Sequence, residues 1–533
     1  MASSDSIHPS IQPAQSANFS DPDRHDKRQR IFLLIAISAF LSMIFLDQSG
    51  VAVTLPRMQL ALGLTNVDVQ WVMNAFLLTL SVLLLFCGRL SDYFGYRRMF
   101  VLGMWIFLLA SVVCAIAQNN WQIILGRSLQ GVGGSLALAT YLVLISRRFP
   151  ITERGKALGT SAAFGSLFLS NGPLIGGFFS QVISWRWIFW INIPIALVCI
   201  YFTLNAVPRD EKSTHSEVFD ILGLLVFIVA MTSLVVVLLE GPVFGWSSMT
   251  IITLFITSVI AFIVFGIIEL NVKAPLLQLS LFKNKIFLAG NVILFTTQVC
   301  AIVVVFWALW LQYSHGYSPL MAGLALLPAG LPYIIASRLG GGWIDRSGPR
   351  APICTGTALL LIGTIWVALT ALTNNYFWLV WGMVIYGCGW GLVIPCSILA
   401  VMGSVEAHHH STASGVLNTM RQVGGSLGLA VVGAVITSYD NAKISDYLAS
   451  SAQYVSVNVH EVQKLLAGAT AHLVQMSTAQ IQTLKGAAQL FYTHAFTVGM
   501  LVSGIFALIG YIFAARFLTA QTKIASREHA LME

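Results

Sequence analysis

One acidic residue, Asp47, lies inside an apolar stretch, residues 31–54, that contains no other ionisable side chain. A charged side chain inside a bilayer costs at least about 2.5 to 3.5 kcal/mol on insertion scales, so such a residue is usually functional or paired. The chemistry open to a buried carboxyl is the binding and release of a proton. Asp47 is therefore the first candidate for a proton-binding site.

Arg127 is a second charge inside an apolar stretch, and Gln130 follows it by about one helical turn. In antiparallel spans, helical rise places Asp47 about 6 Å and Arg127 about 9 Å below the outer edge of a core about 30 Å thick. Burial disfavours the charge of a carboxylate and a nearby guanidinium favours it, so a change in their separation or hydration would bind and release a proton. The alternative is a static pair that fixes packing.

The elements that must position these residues are membrane-spanning helices. Of 533 residues, 57% are hydrophobic and 9% are charged, whereas about 25% are charged in soluble domains. Fourteen apolar runs of spanning length, from 31–54 to 493–515, predict an all-α polytopic membrane protein. Most of the 29 lysines and arginines fall in segments that are cytoplasmic if both termini are cytoplasmic. This spread along one membrane face argues against nucleic-acid binding.

The sequence repeats itself. The loop that starts at Gly88 recurs at Gly342, and the glycine-rich run 130–134 recurs at 386–391. The position that corresponds to Asp47 holds an apolar residue, Ile302, so the acid is not duplicated, which indicates a task beyond packing. The predicted organisation is a disordered cytoplasmic tail (1–30), an N-terminal six-helix bundle (31–206), two inserted helices with linkers (207–285), a C-terminal six-helix bundle (286–515) that includes an outer loop (438–492), and a cytoplasmic tail (516–533).

The outer loop 438–492 has no proline and contains a helical-looking stretch from Val462 to Met476. One interpretation is that it folds on the outer face or meets a partner, such as a periplasmic adaptor protein. The other is a solvated loop with no role in transport, because long loops tolerate insertion.

The cytoplasmic loop after the second span combines permissive glycines with charges near helix ends. Such a cluster can latch two helices in one conformation and release them in another; the alternative is plain anchoring by positive charge. The candidate latch residues are Gly88, Asp92, Gly95, Arg97 and Arg98, with Asp345 and Arg346 in the second half.

The fifth span contains a proline among small residues, which predicts a hinge or a tight helix interface. Its residues are Gly172, Pro173, Gly176 and Gly177. Arg421, about 15 Å into its span, is the other deep charge, and it could bind an anionic substrate group or bond to carbonyls and Gln422. The side chains that could line an amphipathic cavity, rather than pack or face lipid, are Trp71, Phe76, Trp307, Trp310, Tyr333, Trp390, Asn418 and Arg421.

These motifs resemble the major facilitator superfamily, and the proline motif resembles that of its drug:proton antiporters. The phrases at 46–56, 185–194 and 418–426 are similar to those of the fourteen-helix, EmrB/QacA-like antiporters. The resemblance covers about residues 30–520 and implies the major facilitator fold. It also implies proton-coupled export of lipophilic or cationic compounds by alternating access across the bacterial inner membrane, without ATP or a cofactor.

The resemblance further implies a role for Arg127 in proton coupling. Two departures argue against broad cation export. The phrase Gln48-Ser49-Gly50 stands where relatives commonly carry Thr and apolar residues, and the tenth span lacks the acidic residue that some multidrug members use for divalent cations. The partners expected are protons, a small-molecule substrate and the lipid bilayer.

Two alternatives stay open from the sequence. One is an exporter of a single endogenous metabolite such as a siderophore, and the other is a non-transporting membrane receptor or lipid-handling protein. The seven cysteines show no metal-type clustering, so no metal site is predicted.

Overall fold

Fourteen membrane-spanning helical segments make up the fold, as the sequence predicts. The computed structural model describes residues 22–210, 220–272, 275–373, 375–406, 410–451, 454, 457–468 and 476–518. Within these ranges 14 segments are long and apolar enough to cross a membrane. The chain is therefore a multi-pass inner-membrane protein.

The first six spans pack against one another and are called the N-terminal bundle. They are α1 (Pro22–Leu62), α2 (Asn66–Phe94), α3 (Tyr96–Ile116), α4 (Asn120–Arg148), α5 (Ile151–Val182) and a broken sixth span, α6 (Trp187–Trp190) with α7 (Asn192–Ala206). Helix α1 packs on α5 and α7, and α4 packs on α2 and α3. This arrangement surrounds the middle of α1, where Asp47 lies, with protein.

Two further spans follow, α8 (Ile221–Phe244) and α9 (Met249–Asn271), and then a short 3-10 helix (Leu279–Lys283). The C-terminal bundle comprises α10 (Lys285–Ile302), α11 (Val304–Tyr313), α12 (Pro319–Ala325), α13 (Leu327–Ser347), α14 (Arg350–Ala371), α15 (Tyr376–Met402), α16 (His410–Ser450), α17 (Val459–Leu466) and α18 (Thr478–Phe517). Helices α8 and α9 pack on each other, and α8 also contacts α2 and α16. This packing supports our proposal of two bundles with two inserted helices.

Side-chain caps determine where several helices begin at the outer turns. Thr65 and Asp68 form a capping box at the start of α2, and Ser477 and Gln480 form another at the start of α18. Asn119 accepts a hydrogen bond from the backbone N–H of the third residue after it, at 2.9 Å. These side chains satisfy N–H groups that lack a partner within the first turn of a helix.

The two bundles are joined at their outer ends. Gln70 donates to the Thr437 hydroxyl at 2.8 Å, and the Tyr313 hydroxyl donates to Gln59 at 2.5 Å. Each of these bonds crosses from one bundle to the other, and α5 packs closely on α12 at the same level. We call Gln59, Gln70, Tyr313 and Thr437 the outer gate, and it is closed.

On the cytoplasmic side the bundles diverge around a cavity of about 390 Å³, which we call the inner vestibule. Its lining residues come from both bundles and include Leu84, Gly88, Asp92, Leu142, Met402 and Asn418. A closed outer gate and an open inner vestibule together define an inward-facing arrangement.

The structure corrects the prediction that residues 1–30 form a disordered tail. Helix α1 begins at Pro22 and extends about two turns below the apolar run. Asp26 pairs with Arg148 at 2.8 Å, and Arg30 pairs with Glu153 at 3.3 Å, so ion pairs to α4 and α5 hold this extension. Residues 1–21 of that tail, and 519–533 of the other, lie outside the described residues.

The structure also corrects the predicted bounds of the outer loop, residues 438–492. Helix α16 continues to Ser450, and α18 already begins at Thr478. The stretch predicted to be helical from Val462 to Met476 is helical only to Leu466, as part of α17, and residues 469–475 lie outside the described part of the chain. The sequence predicts a span from a run of apolar residues, and such a run ends at the edge of the bilayer. The helices themselves continue beyond that edge.

The proline motif of α5 lies in close contact with helices on two sides. A Cβ added to Gly176 would lie 2.2 Å from the backbone oxygen of Gly50 in α1. One added to Gly177 would lie 2.4 Å from the backbone oxygen of Pro319 in α12. The motif therefore forms a tight interface in this conformation, and its role as a hinge stays a prediction.

Replacing Gly176 by Ala is expected to lower the melting temperature by several degrees. The added methyl meets the α1 backbone rather than a movable side chain, and overpacking of this kind costs about 1 to 3 kcal/mol. Thermal denaturation in detergent measures the effect. Gly159→Ala in the same helix is the control, because a Cβ there meets nothing within 4 Å. Equal melting temperatures for the two variants would show that the α1–α5 contact yields easily.

Candidate functional site

Asp47 and Arg127 meet in the interior of the N-terminal bundle. Arg127 Nη1 donates to Asp47 Oδ2, and the two side chains are fully buried. The same Nη1 atom donates to Gln130 Oε1 at 2.8 Å. The structure thus brings together the three residues that the sequence singled out for proton chemistry.

Two further polar residues complete this site, which we call the buried polar cluster: Asp47, Ser111, Arg127, Gln130 and Asn192. Gln130 Nε2 donates to the Ser111 hydroxyl at 2.8 Å, and Asn192 Nδ2 lies 3.5 Å from both Asp47 Oδ1 and Ser111 Oγ. Sequence reasoning missed Ser111 and Asn192. The only signal for Asn192 is a polar residue within the apolar run of the sixth span.

The guanidinium of Arg127 is held from several directions. Its Nε donates to the backbone oxygen of Val72 at 2.8 Å, and its Cζ lies 4.6 Å from the centre of the Phe76 ring. Its Nη2 has no hydrogen-bond partner within the described residues. An arginine fixed in this way can keep its position while the carboxyl beside it changes charge.

A second site, the central cavity, lies between the bundles on another face of α1. Residues from seven helices line it, among them Gln48 and Ser49 of α1, Pro173 of α5, Tyr333 of α13, Trp390 of α15 and Arg421 of α16. Most of its remaining lining is aliphatic or small. Arg421 is the one charged side chain among the described lining residues.

Three hydrogen-bond donors in the central cavity have no acceptor among the described residues. Gln48 Nε2, Trp390 Nε1 and Arg421 Nε are all buried and unpartnered within the described ranges. Arg421 also lies 5.8 Å from the centre of the Phe45 ring, which belongs to the opposite bundle. Because unpaired buried donors are costly, a bound molecule with acceptor atoms would satisfy them.

Five residues predicted to line the cavity lie elsewhere. Trp71 donates to Glu240 of α8 at 2.9 Å, and Phe76 packs under Arg127. Trp307 and Trp310 are buried inside the C-terminal bundle, where their ring nitrogens donate to Met500 and Thr493. Asn418 lines the inner vestibule instead. The sequence could not tell a cavity-facing ring from one packed inside a bundle, because both lie on apolar helices.

The cytoplasmic loop residues make contacts inside the N-terminal bundle. Gly95 has a backbone φ of 98°, and the side chain of Asp210 occupies the space that a Cβ would fill. Asp210 accepts the backbone N–H groups of Arg97 at 3.3 Å and Arg98 at 2.9 Å and so caps α3. Sequence reasoning missed Asp210, which follows α7 and carries no local motif.

Within the described part of the chain, no hydrogen bond or ion pair of the other candidate latch residues joins the two bundles. Asp92 accepts a hydrogen bond from the Tyr96 hydroxyl and lines the vestibule beside Gly88. Arg346 is exposed at the end of α13, and the side chain of Asp345 lies outside the described part of the structure. A latch that forms in the opposite conformation stays a prediction.

A two-bundle fold with a mainly apolar cavity between the bundles and a buried charge pair inside one of them is the arrangement of a secondary transporter. The chain belongs to the Major Facilitator Superfamily, whose family model matches residues 35–429. Fold, cavity and family agree, so the chain is a membrane transporter of this superfamily.

Curated relatives are similar to this chain over most of its length. It is 30% identical over 431 residues to the multidrug resistance protein Stp of Mycobacterium tuberculosis, covering 79% of this chain and 78% of that protein. It is 32% identical over 413 residues to the methylenomycin A resistance protein of Bacillus subtilis, covering 76% and 87%. These proteins are similar to this chain along most of their length.

Solved structures share the fold. A bacterial homologue of the human lysosomal transporter Spinster, crystallised in an inward-facing and unoccupied conformation, superposes with a TM-score of 0.64. The superposition covers 95% of this chain and 99% of that one at 17% identity. It places the chain in the same architecture.

Asp47→Ala is expected to destabilise the protein by about 3 to 5 kcal/mol, because it leaves Arg127 as an uncompensated buried charge. Adding Arg127→Leu should recover much of this loss. Chemical denaturation in detergent of the single and double variants measures the coupling energy. Asp446→Ala, at an exposed position of α16, is the control. Additive effects of the two single changes would show that the pair contributes no coupling.

Proposed function

We propose that this transporter is a proton-coupled antiporter that exports amphipathic small molecules across the inner membrane. The observation that carries the proposal is the adjacency of Asp47 and Gln48 on α1. Asp47 belongs to the buried polar cluster, and Gln48 lines the central cavity. Successive residues of a helix point about 100° apart, so one rigid helix serves both sites.

Proton binding is proposed to act through the charge of Asp47. A neutral carboxyl no longer compensates Arg127, so the contact between α1 and α4 weakens when Asp47 takes up a proton. Any shift of α1 that follows also moves Gln48 and Ser49 at the cavity wall. Proton occupancy and substrate occupancy are thereby in competition, which is the requirement for antiport.

In the proposed cycle the substrate enters from the cytoplasm through the inner vestibule, which is of ligand-pocket size at about 390 Å³. It reaches the central cavity while Asp47 is ionised. Rocking of one bundle against the other then opens the outer gate. Substrate leaves, Asp47 takes a proton from the outside, and the return step releases that proton to the cytoplasm.

The cavity favours one class of substrate. Its wall is mainly apolar, its free polar atoms are donors, and its one charge among described residues is the cation of Arg421. These features suit amphipathic molecules that are neutral or anionic and rich in hydrogen-bond acceptors. The names of the relatives, which concern resistance to several drugs and to methylenomycin A, support antibiotic-like substrates.

Membership of the superfamily bears differently on the two alternative functions that the sequence left open. Superfamily membership disfavours a receptor or lipid-handling protein, and we assign the chain no enzymatic step. A single-metabolite exporter would share the mechanism and differ in breadth of substrate. A periplasmic adaptor stays a prediction, as does the latch role of the cytoplasmic loop.

Asp47→Asn is expected to reduce proton-coupled export at least tenfold, because an amide cannot bind and release a proton at this site. Reconstitution in vesicles with an imposed pH gradient measures both substrate flux and proton flux. Asp446→Asn, an exposed acid on α16, should retain the native rates. If Asp47→Asn exchanged protons for substrate at the native rate, the assignment of Asp47 would be wrong.

Arg421→Gln is expected to weaken binding of anionic amphipathic probes about ten- to a hundredfold, since a hydrogen bond to a charged group contributes about 1.5 to 3 kcal/mol. Cationic probes of matched size should bind no more weakly than to the native protein. Fluorescence titration of purified protein with both probe types makes the comparison. Equal losses for both charges would point to a packing role for Arg421.

A further inference from the structure

A buried acidic residue beside the outer gate has no part in the mechanism proposed above. Asp440 lies on α16, one turn beyond Thr437, and is 1% exposed. Both carboxyl oxygens lack a hydrogen-bond partner within the described residues. The side chain borders a cavity that offers about 20 Å³ to the centre of a water molecule, which is room for one water.

The described residues around Asp440 supply no positive charge. Asn66 and Gln70 of α2, Tyr313 of α11 and Tyr492 of α18 face the same cavity, and none of these side chains is basic. On α16 itself, Lys443 is exposed and lies over the Tyr439 ring, 5.9 Å from its centre. An ionised carboxylate enclosed in this way has neither a counter-ion nor a hydrogen-bond donor among the described residues to compensate for lost hydration.

The position of Asp440 makes its hydration depend on the gate. Helix α2 belongs to the N-terminal bundle, whereas α11, α16 and α18 belong to the C-terminal bundle. Opening the outer gate separates Gln70 from Thr437 and admits water to the cavity between them. The closed gate therefore suits a neutral carboxyl, and the open gate suits an ionised one.

We propose that Asp440 is a second proton-binding site, and that its protonated form holds the outer gate closed. The proton comes from the outer side and returns to it when the gate opens, so it is not transported. Acid outside then favours closure and the inward-facing state, whereas a rise in outer pH favours opening. This site is independent of Asp47, which lies within one bundle.

Spin labels on the outer ends of the two bundles report the state of the gate. Trp121 at the start of α4 and Phe377 at the start of α15 are exposed and suit replacement by Cys, with Cys354→Ser and Cys388→Ser as background. The distance distribution is measured in nanodiscs as a function of pH. Over the pH range in which the open state has lost the Asp440 proton and the closed state still holds it, the open-to-closed ratio should rise by up to about tenfold per pH unit, the limit for one coupled proton.

Asp440→Asn, which is neutral at every pH, should abolish this slope and keep the gate mainly closed. Asp446→Asn, its exposed counterpart on α16, should retain the slope. Asp47→Asn should retain it too, which separates this proposal from the proposed antiport site. A native slope in Asp440→Asn, or its loss in Asp47→Asn, overturns the proposal.

A measurement on the unaltered protein covers the case in which Asp440→Asn does not fold. Dicyclohexylcarbodiimide reacts with protonated carboxyls in apolar surroundings, and mass spectrometry of the digested protein locates the adduct. Above the pH at which half of the Asp440 carboxyls are protonated, labelling of Asp440 should decrease about tenfold per pH unit. No labelling at any pH, or labelling that does not change with pH, contradicts a proton at this site.

Discussion

Inside a membrane, a charged group is retained only where the protein itself replaces the water that the group has lost. The pairing of Asp47 with Arg127 meets this requirement by means of four elements of the N-terminal bundle: α1 and α4 supply the charges, and α3 and α7 supply Ser111 and Asn192. A shift of any of these helices alters the compensation. In the proposed mechanism, the charge pair thus makes the packing of this bundle sensitive to a single proton.

The two bundles differ in what they bury. The C-terminal bundle has Ile302 where the repeat would place a second acid, and its deep cation, Arg421, faces the cavity instead of an internal partner. In the proposed mechanism, one bundle therefore holds the energy-coupling chemistry and the other contributes charge to substrate recognition. Helix α1 connects these tasks because its neighbouring residues reach both sites.

Much of this could be predicted from the sequence because membrane depth can be calculated from helical rise. The number of spans and the common depth of Asp47 and Arg127 depend only on apolar length and about 1.5 Å per residue. The sequence does not identify Asn192 or Asp210 because their roles arise from contacts between distant helices. Asn192 stands in no charge pattern, and the charged run 209–212 does not show that Asp210 is the residue that meets α3. The tryptophans Trp307 and Trp310 were misplaced for the same reason, since rotation of a span about its axis depends on packing that hydropathy does not encode.

The position of α8 has a consequence for how molecules dissolved in the bilayer meet this protein. Because α8 packs on both α2 and α16, it covers one of the two seams where the bundles adjoin. The other seam, between α5 and α13, exposes apolar side chains such as Phe164, Leu167 and Ile335. On this flank the apolar side chains at the junction of the bundles therefore face lipid tails, whereas on the other flank an inserted helix lies between the junction and the bilayer.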